Sequence, residues 1–585
     1  MNRKIISVSF VLVALISLSF LTYIPVESPY PFIKLQNTSI IESADSPMYI
    51  EKKAVEFQIN NHTALSQSYC SLAALTNDTF AIAWHSSGQD GNGWGVYASV
   101  FNATTGTNIT EEFRVNEYIA NDQQYPSLAA LTSDTFVIAW ESSSQDSSGW
   151  GIYARVFNAT NGSNITEEFR VNTYTTNAQR FPSVAALTNE TFVIAWQSNG
   201  QDGDSDGIYA SMFNASTGAK IIADFRVNDY ITNAQQNPSV TAFTDDTVAI
   251  AWQSNGQDGN FWGVYACVFN VTTGTNITSE FKVNDFTTFD QMCPSAAALT
   301  DDTVAISWHS NNQDGSDWGV YARVFNSTNG LNITKEFRVN TYTDGDQRYP
   351  SVATLTDDTF VITWHSNNQD GNGYGVYAKV FSATTEANIT VEFQINNYTT
   401  SNQRYPAVTA LNEHIFAVAW QSTGQDSSNE GVYARIFIAD YFPSVTNQLP
   451  ADNSFGIGVN PNLQVTVTDA DGQSITVYFY DNTTGTPLLL GTDIVANGGP
   501  GIASCPWNGR EYRMKYKWFV NVTDGKLNTT SSIWSFTTQA EPVNIFLLLR
   551  PSIPEGIPGF SIFFLLSSIG IAILLLMRMV KKPFP

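Results

Sequence analysis

Seven tryptophans recur at one fixed spacing, and this spacing constrains the fold more than any other feature of the chain. Each lies 56 residues after the one before, with no insertion between repeats. The seven are Trp84, Trp140, Trp196, Trp252, Trp308, Trp364 and Trp420. A long fixed period is typical of repeat proteins, in which each unit buries its apolar faces against its neighbours. We therefore expect an array of seven similar units.

Each period contains four short segments, here named a to d, which the second repeat shows clearly. They cover residues 126–131, 135–140, 151–157 and 168–172, and turn-forming sequences rich in Gly, Asn, Asp and Ser separate them. Segments of about five residues with β-branched and aromatic side chains are typical of strands. The pattern predicts a four-stranded antiparallel sheet in every repeat.

Segment b is apolar on both faces, so both faces of the sheet must be covered. Phe136, Ile138 and Trp140 point to one side, while Val137 and Ala139 point to the other. Sheets that pack face to face around an axis are the blades of a β-propeller. The sequence therefore predicts an all-β fold with a seven-bladed β-propeller of 56-residue blades over residues 56–440.

The two ends of the array are offset by one strand. A d-type segment with Phe57 precedes the first complete unit, and the last unit ends near Asp440 without a d segment. If the N-terminal segment completes the last blade, the ring closes and no sheet edge stays exposed. We predict this closure in preference to an open array.

Apolar segments at both termini indicate export and membrane attachment. A basic start and an apolar run from Ile5 to Ile24 predict a signal peptide or signal anchor at 1–28, followed by a linker at 29–55. After a linker at 539–558, residues 559–580 form a second apolar span, and basic residues follow it. Because such residues stay in the cytoplasm, the rest of the chain is expected outside the cell.

Three further segments resemble known families. Pro558-Gly559-Phe560, with the apolar span and basic residues after it, resembles the sorting signal of archaeal surface proteins, which implies cleavage and a lipid anchor; a plain transmembrane helix fits equally well. Residues 443–538, which end in Trp534-Ser535-Phe536-Thr537-Thr538, resemble fibronectin type III or immunoglobulin-like spacers, which implies a β-sandwich. The repeat itself, with its Gln-Asp-Gly phrases, resembles a repeat of prokaryotic surface proteins, which implies adhesion or another surface role.

The charge balance narrows the possible partners. The chain has 53 acidic and 28 basic residues, a formal net charge of −25. Nucleic-acid-binding proteins carry clustered basic residues, so this partner is excluded. An acidic surface instead favours solubility outside the cell.

Glycosylation sequons cluster on one side of the predicted blades. Of 19 Asn-x-Ser/Thr motifs, 13 lie in the a–b or c–d turns, which share one rim. The candidates are Asn102, Asn108, Asn158, Asn164, Asn270, Asn276, Asn326 and Asn332. Only Asn61 and Asn397 lie in d–a turns, so the rim formed by b–c and d–a turns is predicted to be bare.

The bare rim carries a Gln-Asp pair in every repeat. The residues are Gln89, Asp90, Gln145, Asp146, Gln201, Asp202, Gln257, Asp258, Gln313, Asp314, Gln369, Asp370, Gln425 and Asp426. These side chains are candidates for binding a cation or a sugar. In the alternative interpretation, which recurrence in every repeat favours, Asp caps its own turn and Gln links neighbouring blades.

One turn has the composition of a calcium loop. Asp202, Asp204 and Asp206 alternate with glycine and serine, and oxygen ligands at alternate positions suit calcium, although the turn is no EF-hand. No other cofactor is predicted. His85, His309 and His365 follow three of the repeat tryptophans and are interpreted as polar strand ends, not as metal ligands.

Together these observations predict an extracellular propeller protein, anchored to the cell membrane, that serves binding, adhesion or cell-surface structure. Its partners would be the membrane and a surface glycan or protein. We expect no enzymatic activity. The alternative is a secreted glycan- or peptide-directed hydrolase with its site in the propeller funnel, which would require a few charged residues confined to particular blades.

Overall fold

The computed structural model describes residues 48–385 and 388–542. They form strands, turns and loops without a helix, so no helix in this part of the chain could cross a membrane. The chain divides into two compact units, with the boundary between Phe442 and Pro443. The predicted segments at 1–28 and 559–580 lie outside the described residues.

The first unit contains seven antiparallel sheets of four or five strands, one for each repeat. We number them sheet 1 to sheet 7 in chain order. Sheet 1 contains β3 (Gln67–Thr76), β4 (Thr79–Ser87), β5 (Trp94–Asn102), β6 (Thr107–Asn108) and β7 (Phe113–Arg114). Sheet 2 contains β8 (Gln123–Ala130), β9 (Thr135–Ser143), β10 (Trp150–Asn158) and β11 (Phe169–Arg170). Sheet 3 contains β12 (Gln179–Ala186), β13 (Thr191–Asn199), β14 (Asp206–Asn214) and β15 (Lys220–Arg226).

The remaining sheets repeat this order. Sheet 4 contains β16 (Gln235–Ala242), β17 (Thr247–Asn255), β18 (Trp262–Asn270), β19 (Thr275–Asn276) and β20 (Phe281–Lys282). Sheet 5 contains β21 (Gln291–Thr300), β22 (Thr303–Asn311), β23 (Trp318–Asn326) and β24 (Phe337–Arg338). Sheet 6 contains β25 (Gln347–Thr354), β26 (Thr359–Asn367), β27 (Tyr374–Ser382) and β28 (Phe393–Gln394). Sheet 7 contains β29 (Gln403–Ala410), β30 (Ile415–Thr423), β31 (Glu430–Tyr441), β1 (Met48–Lys52) and β2 (Phe57–Gln58).

Sheet 7 confirms the predicted closure. β2 pairs with β31 through Phe57 opposite Ala434, in the place that the d strand takes in the other sheets. The ring of Phe57 then contacts Phe101 of sheet 1 at 5.8 Å between centroids. A corresponding pair of phenylalanines is in contact at each of the other six junctions between neighbouring sheets, for example Phe113 and Phe157 at 5.3 Å. The closing junction is therefore built like the other six.

The N-terminal segment contributes more than was predicted. β1 pairs with the extended end of β31, from Met48 opposite Tyr441 to Lys52 opposite Phe437. The side chains of Met48 and Ile50 are buried in the core that sheets 6 and 7 share. Interpreting residues 48–52 as part of a linker was therefore wrong, because this segment is a paired strand with an apolar inner face.

The core lies between neighbouring sheets. The second strand of every sheet corresponds to segment b and is buried on both faces, as predicted. The repeat tryptophans on these strands are fully buried. Segment d is shorter than predicted: β11 has only two residues, after which Val171 donates a hydrogen bond to the Ile152 carbonyl oxygen at 2.8 Å. These repeated sheets, joined in a ring, form a β-propeller.

The second unit has two sheets. The strands are β32 (Ser444–Leu449), β33 (Ser454–Ile457), β34 (Asn462–Thr468), β35 (Ile475–Asp481), β36 (Leu488–Val495), β37 (Gly501–Pro506), β38 (Lys515–Thr523), β39 (Asn528–Thr530) and β40 (Trp534–Thr538). One sheet has the order β32-β34-β37, and the other contains β33, β40, β38, β35, β36 and β39. Both contribute to one apolar cluster around Trp518. The four cysteines of the chain are unpaired.

Candidate functional site: the central channel of the sheet ring

The Gln-Asp pairs on the predicted bare rim form hydrogen bonds with other groups of the same chain. In every sheet the Asp side chain accepts a hydrogen bond from the backbone two residues later, for example Asp90 from the Asn92 amide at 3.1 Å. Its second oxygen lies against a glycine of the next strand: a Cβ on Gly95 would be 2.7 Å from Asp90 Oδ2. The Asp residues therefore hold the turns. Ligand binding by this ring stays a prediction.

The glutamines of these pairs contact an acidic residue that sequence reasoning missed. In six sheets the amide donates to a glutamate just before the outermost strand, such as Gln425 to Glu56 at 2.6 Å. The same glutamate accepts from the preceding d–a turn, as Glu56 does from the Asn397 amide at 2.7 Å. Gln201 differs, since its oxygen accepts from the Ser198 hydroxyl at 2.7 Å. Links between neighbouring sheets thus run through these glutamates, which recur with the same 56-residue period.

The three aspartates of the predicted calcium loop have separate partners. Asp204 accepts from the Asn233 amide at 3.0 Å. Asp206 accepts from Gln236 at 2.7 Å and from the Asn199 side chain at 3.2 Å. Among the described residues no group of three His, Cys, Asp or Glu side chains is placed to hold a metal ion. Calcium at this loop stays a prediction.

The predicted sequons lie where the a–b and c–d turns are. Asn108, Asn164, Asn276 and Asn332 are exposed, whereas Asn102, Asn158, Asn270 and Asn326 are half-buried at the end of the third strand. In the second set the side-chain oxygen caps the turn, as Asn102 does for the Thr104 amide at 2.9 Å. We therefore expect glycosylation to favour the first set, although occupancy at either stays a prediction.

The residue after each tryptophan clamps neighbouring sheets together. His85, Glu141, Gln197, Gln253, His309, His365 and Gln421 hold this position, and all are buried. Each accepts a hydrogen bond from a backbone amide of the next sheet, as His85 Nδ1 does from Tyr125 at 3.2 Å. Gln421 of sheet 7 accepts from Tyr69 of sheet 1 at 3.3 Å. The interpretation of the histidines as polar strand ends is confirmed, with the added role of an acceptor between sheets.

The amides that donate to these clamps belong to residues with an unusual backbone. A β-bulge in the first strand of each sheet places one residue in the left-handed region, with φ between 50° and 53°. The seven are Tyr69, Tyr125, Phe181, Asn237, Cys293, Tyr349 and Tyr405. Bulges re-aim side chains, and left-handed backbone outside glycine is strained. The recurrence of this conformation points to a shared task for these residues.

These seven residues line a central channel. A cavity of about 520 Å³ is bounded by them and by the residues that follow each, mostly a proline and a serine. Because the seven lie near the start of the first strand, the cavity lies toward the rim of the b–c and d–a turns. Its lining holds no Asp, Glu, Lys or Arg. Burial raises the pKa of the Tyr69 and Tyr349 hydroxyls and raises the pKa of the Cys293 thiol to about 12, so the lining is neutral.

The channel lining is asymmetric. Five aromatic rings form a continuous arc, with centroid distances of 4.7 Å from Tyr349 to Tyr405, 4.5 Å from Tyr405 to Tyr69, 4.7 Å from Tyr69 to Tyr125 and 4.9 Å from Tyr125 to Phe181. The other two positions hold the smaller Asn237 and Cys293, whose side chains lie 3.7 Å apart, from Nδ2 to Sγ. The arc is therefore interrupted between sheets 4 and 5.

Two exposed phenylalanines lie on the same rim and the same sheets as this gap. Phe261, in the b–c turn of sheet 4, is 60% exposed, and Phe289, in the d–a turn between sheets 4 and 5, is 42% exposed. Phe289 has φ of 64°, at a position where three other sheets have Asn and one has Gly. A bulky residue is costly in this region, and Asn or Gly is not. Leu65 and Ser401 hold this position in the other two turns, with φ of 62° and 63°, so the left-handed backbone is a property of the turn and not of Phe289 alone.

Glu141, one of the clamp residues, forms an ion pair with Arg180 near this rim. Glu141 is fully buried, and Arg180 of sheet 3 donates to it at 2.6 Å while stacking on Trp150 at 4.8 Å. Burial raises the pKa of the Glu141 carboxyl, and Arg180 opposes this shift. Although this pair does not occur in every repeat, Glu141 and Arg180 do not line the channel. They therefore do not supply the acid and base of a hydrolase there.

Removing only Arg180 should destabilise the protein strongly. Arg180→Met leaves the Glu141 carboxylate buried with one backbone donor, which costs about 3–5 kcal/mol. The double variant Glu141→Gln with Arg180→Met reproduces Gln253 and Met292 of sheets 4 and 5, and should stay within about 1 kcal/mol of the original protein. Urea denaturation of both variants measures this. Equal losses for the single and the double variant would contradict the role of the pair.

No family model matches the chain, and no curated protein matches it. Solved structures that are similar include a protein of unknown function from Dyadobacter fermentans, with 11% identity, 66% of this chain and 99% of that chain covered, and a TM-score of 0.39. A second is an α-L-arabinanase from Penicillium chrysogenum, with 12% identity, 65% and 98% covered, and a TM-score of 0.37. A third is the β-propeller domain of the Trilobed protease from Pyrococcus furiosus, with 8% identity, 64% and 94% covered, and a TM-score of 0.37. At TM-scores this low the likenesses carry no argument about activity.

Proposed function

We propose that this protein is a cell-surface binding protein with a seven-bladed propeller that takes a neutral ligand, a surface glycan, at the mouth of its central channel. The observation that carries the proposal is the neutral channel lining: five aromatic rings, with prolines and serines beside them. Apolar walls with a few polar groups are typical of ligand sites. Aromatic faces pack against the C–H surfaces of a sugar, and hydroxyl groups of Tyr and Ser donate and accept hydrogen bonds.

The ligand would approach the channel through the gap in the aromatic arc. A ligand on the bare rim would pass Phe261 and Phe289 and then reach the channel beside Asn237 and Cys293. Exposed aromatic residues at a neutral concave site are a common feature of recognition surfaces. The left-handed backbone of Phe289 belongs to the turn, where its carbonyl oxygen accepts a hydrogen bond from Gln291 at 3.0 Å, so it is the exposed aromatic ring that supports the proposal.

Placement at the cell surface is part of the same proposal. The apolar segments at 1–28 and 559–580 would export the chain and attach it to the membrane, through a helix or a lipid, and residues 443–538 would form a fibronectin type III-like or immunoglobulin-like domain. The net charge of −25 supports an extracellular setting. A hydrolase in the funnel is less well supported, because no carboxylate lines the channel.

Replacing the two rim phenylalanines should separate binding from stability. Phe289→Asn installs the residue that sheets 2, 3 and 4 use at this turn, so it should raise stability by about 0.5–1 kcal/mol. Together with Phe261→Ser it should weaken glycan binding at least tenfold on an array of neutral and charged glycans. Leu331→Ala, a matched change of an exposed residue in the c–d turn of sheet 5, should leave binding unchanged. Equal binding by all variants, or release of cleaved sugars, would contradict the proposal.

A further inference from the structure

The junctions between sheets contain a recurring site for a side-chain cation. It lies between a carbonyl oxygen at the end of one sheet's outer strand and a polar side chain two residues later. Arg323 donates to the Val283 carbonyl oxygen at 3.2 Å and to Asp285 at 2.8 Å. Arg435 donates to the corresponding Ile395 carbonyl oxygen at 2.6 Å and to Asn397 at 3.0 Å. We name this place the cation slot.

Three other junctions also place a cation in the slot. Lys379 donates to the Val339 carbonyl oxygen at 3.5 Å and to Thr341 at 3.3 Å. Arg155 lies 3.7 Å from Glu117, which corresponds to Asp285 and Asn397. In sheet 3 the position equivalent to these cations is Ser211, and Lys220 from another strand donates to Thr173 at 2.9 Å instead. At the junction of sheets 3 and 4 the equivalent position is Cys267, whose thiol donates to the Thr278 carbonyl oxygen at 3.1 Å, so a cation occupies the slot at five of the seven junctions.

The closing junction has the slot without a cation. The equivalent position is Ser99, whose hydroxyl donates to the Thr110 carbonyl oxygen at 2.9 Å, as Arg323 Nε does to Thr334 at 3.1 Å. A cavity of about 230 Å³ remains there, lined by Ile59 and Asn61. These two residues precede Ser99 by the same intervals at which Ile395 and Asn397 precede Arg435. The acceptors of the slot are therefore present, and the cationic side chain is replaced by a small one.

We propose that this cavity binds an alkylguanidinium group, which takes the place that an arginine side chain has in the slots of Arg323 and Arg435. The planar group would donate to the Ile59 carbonyl oxygen and to Asn61, and its alkyl stem would lie along Phe101. Because Ile59 and Asn61 follow the N-terminal strand and Phe101 belongs to sheet 1, the occupant would bridge the closing junction. The acidic chain also attracts cations in general.

Thermal melting of the full chain with ethylguanidinium below roughly 10 mM tests the site, since binding to the folded state alone raises the melting temperature. We expect a saturable rise of about 1–2 °C that tetramethylammonium at equal ionic strength does not give. Ser99→Arg should raise the melting temperature without ligand and abolish the response, whereas Ser99→Ala should keep it. Asn61→Ala, an exposed change that leaves the fold intact, should weaken the response at least threefold.

One further measurement identifies the source of the group. A capped peptide with a single arginine should compete with ethylguanidinium if a protein partner supplies it, and should have no effect if the cavity admits only a free small molecule. The absence of any saturable rise in the original protein would overturn the proposal. So would an equal rise in the original protein and in Ser99→Arg, because the response would then come from elsewhere on the surface.

Discussion

Deleting residues 48–60 should lower the free energy of unfolding by about 5–10 kcal/mol. The deletion removes three buried apolar side chains, Met48, Ile50 and Ile59, each of which contributes about 1.5–3 kcal/mol. It also removes Glu56, which joins Gln425 to the Asn397 turn. The outer edge of β31 would then lie open, and open edges promote aggregation. Urea denaturation and light scattering measure both effects.

Point variants distinguish closure from a general effect of shortening the chain. Ile50 is 5% exposed on the paired strand, whereas Val55 is 79% exposed a few residues later. Ile50→Asp should destabilise the protein by about 3 kcal/mol or more, because it places a charge in the core. Val55→Asp should have an effect of less than about 0.5 kcal/mol. Similar losses for both variants would show that the N-terminal segment does not close the ring.

The strand pattern within each repeat could be predicted because the burial requirement is the same in every unit. Segment b of the second repeat, with Phe136 to Trp140, is a buried middle strand as expected. The pairing of β2 in sheet 7 could also be predicted, since a count of d segments is enough. β1 could not, because Met48–Lys52 occurs once in the chain and has no counterpart in the period that carries the prediction.

The candidate site was harder to predict. The residue before a proline favours extended backbone, so nothing in Tyr125-Pro126 suggests φ of 50°. A bulge in the first strand imposes this conformation, and a bulge depends on how two strands pair. The one available signal was variation: the residue at this position changes from Tyr to Phe, Asn and Cys, whereas the Pro-Ser pair after it is kept in five of the seven repeats.

The clamp position shows a second limit of sequence reasoning. His85, Glu141 and Gln197 differ in charge and shape, so the sequence does not show that they share a task. In the structure each presents one acceptor atom to a backbone amide of the next sheet, at 3.2, 3.0 and 3.2 Å. Any side chain that places a hydrogen-bond acceptor at this distance from the amide can serve, and His, Glu and Gln all do so.

The histidine clamps should make the protein sensitive to mild acid. Burial lowers the pKa of His85 and His309 to about 3 and lowers that of His365, where Arg404 and Arg348 add to the effect. In the unfolded chain these histidines titrate near pH 6.5, so between the two values the unfolded state binds more protons. Stability is therefore complete above about pH 6.5 and falls as the pH drops toward 3.

Replacing the three histidines with glutamine should remove much of this sensitivity, because Gln197, Gln253 and Gln421 already serve as clamps in other sheets. Each histidine should contribute a loss of up to about 2 kcal/mol at pH 5 relative to pH 7. At pH 5 most carboxylates with ordinary pKa values stay ionised, so their contribution is small. Urea denaturation at pH 5, 6 and 7 measures the slope. His62→Gln, outside the clamps, should leave it unchanged, and a triple variant with the original slope would show that the clamp histidines do not control acid stability.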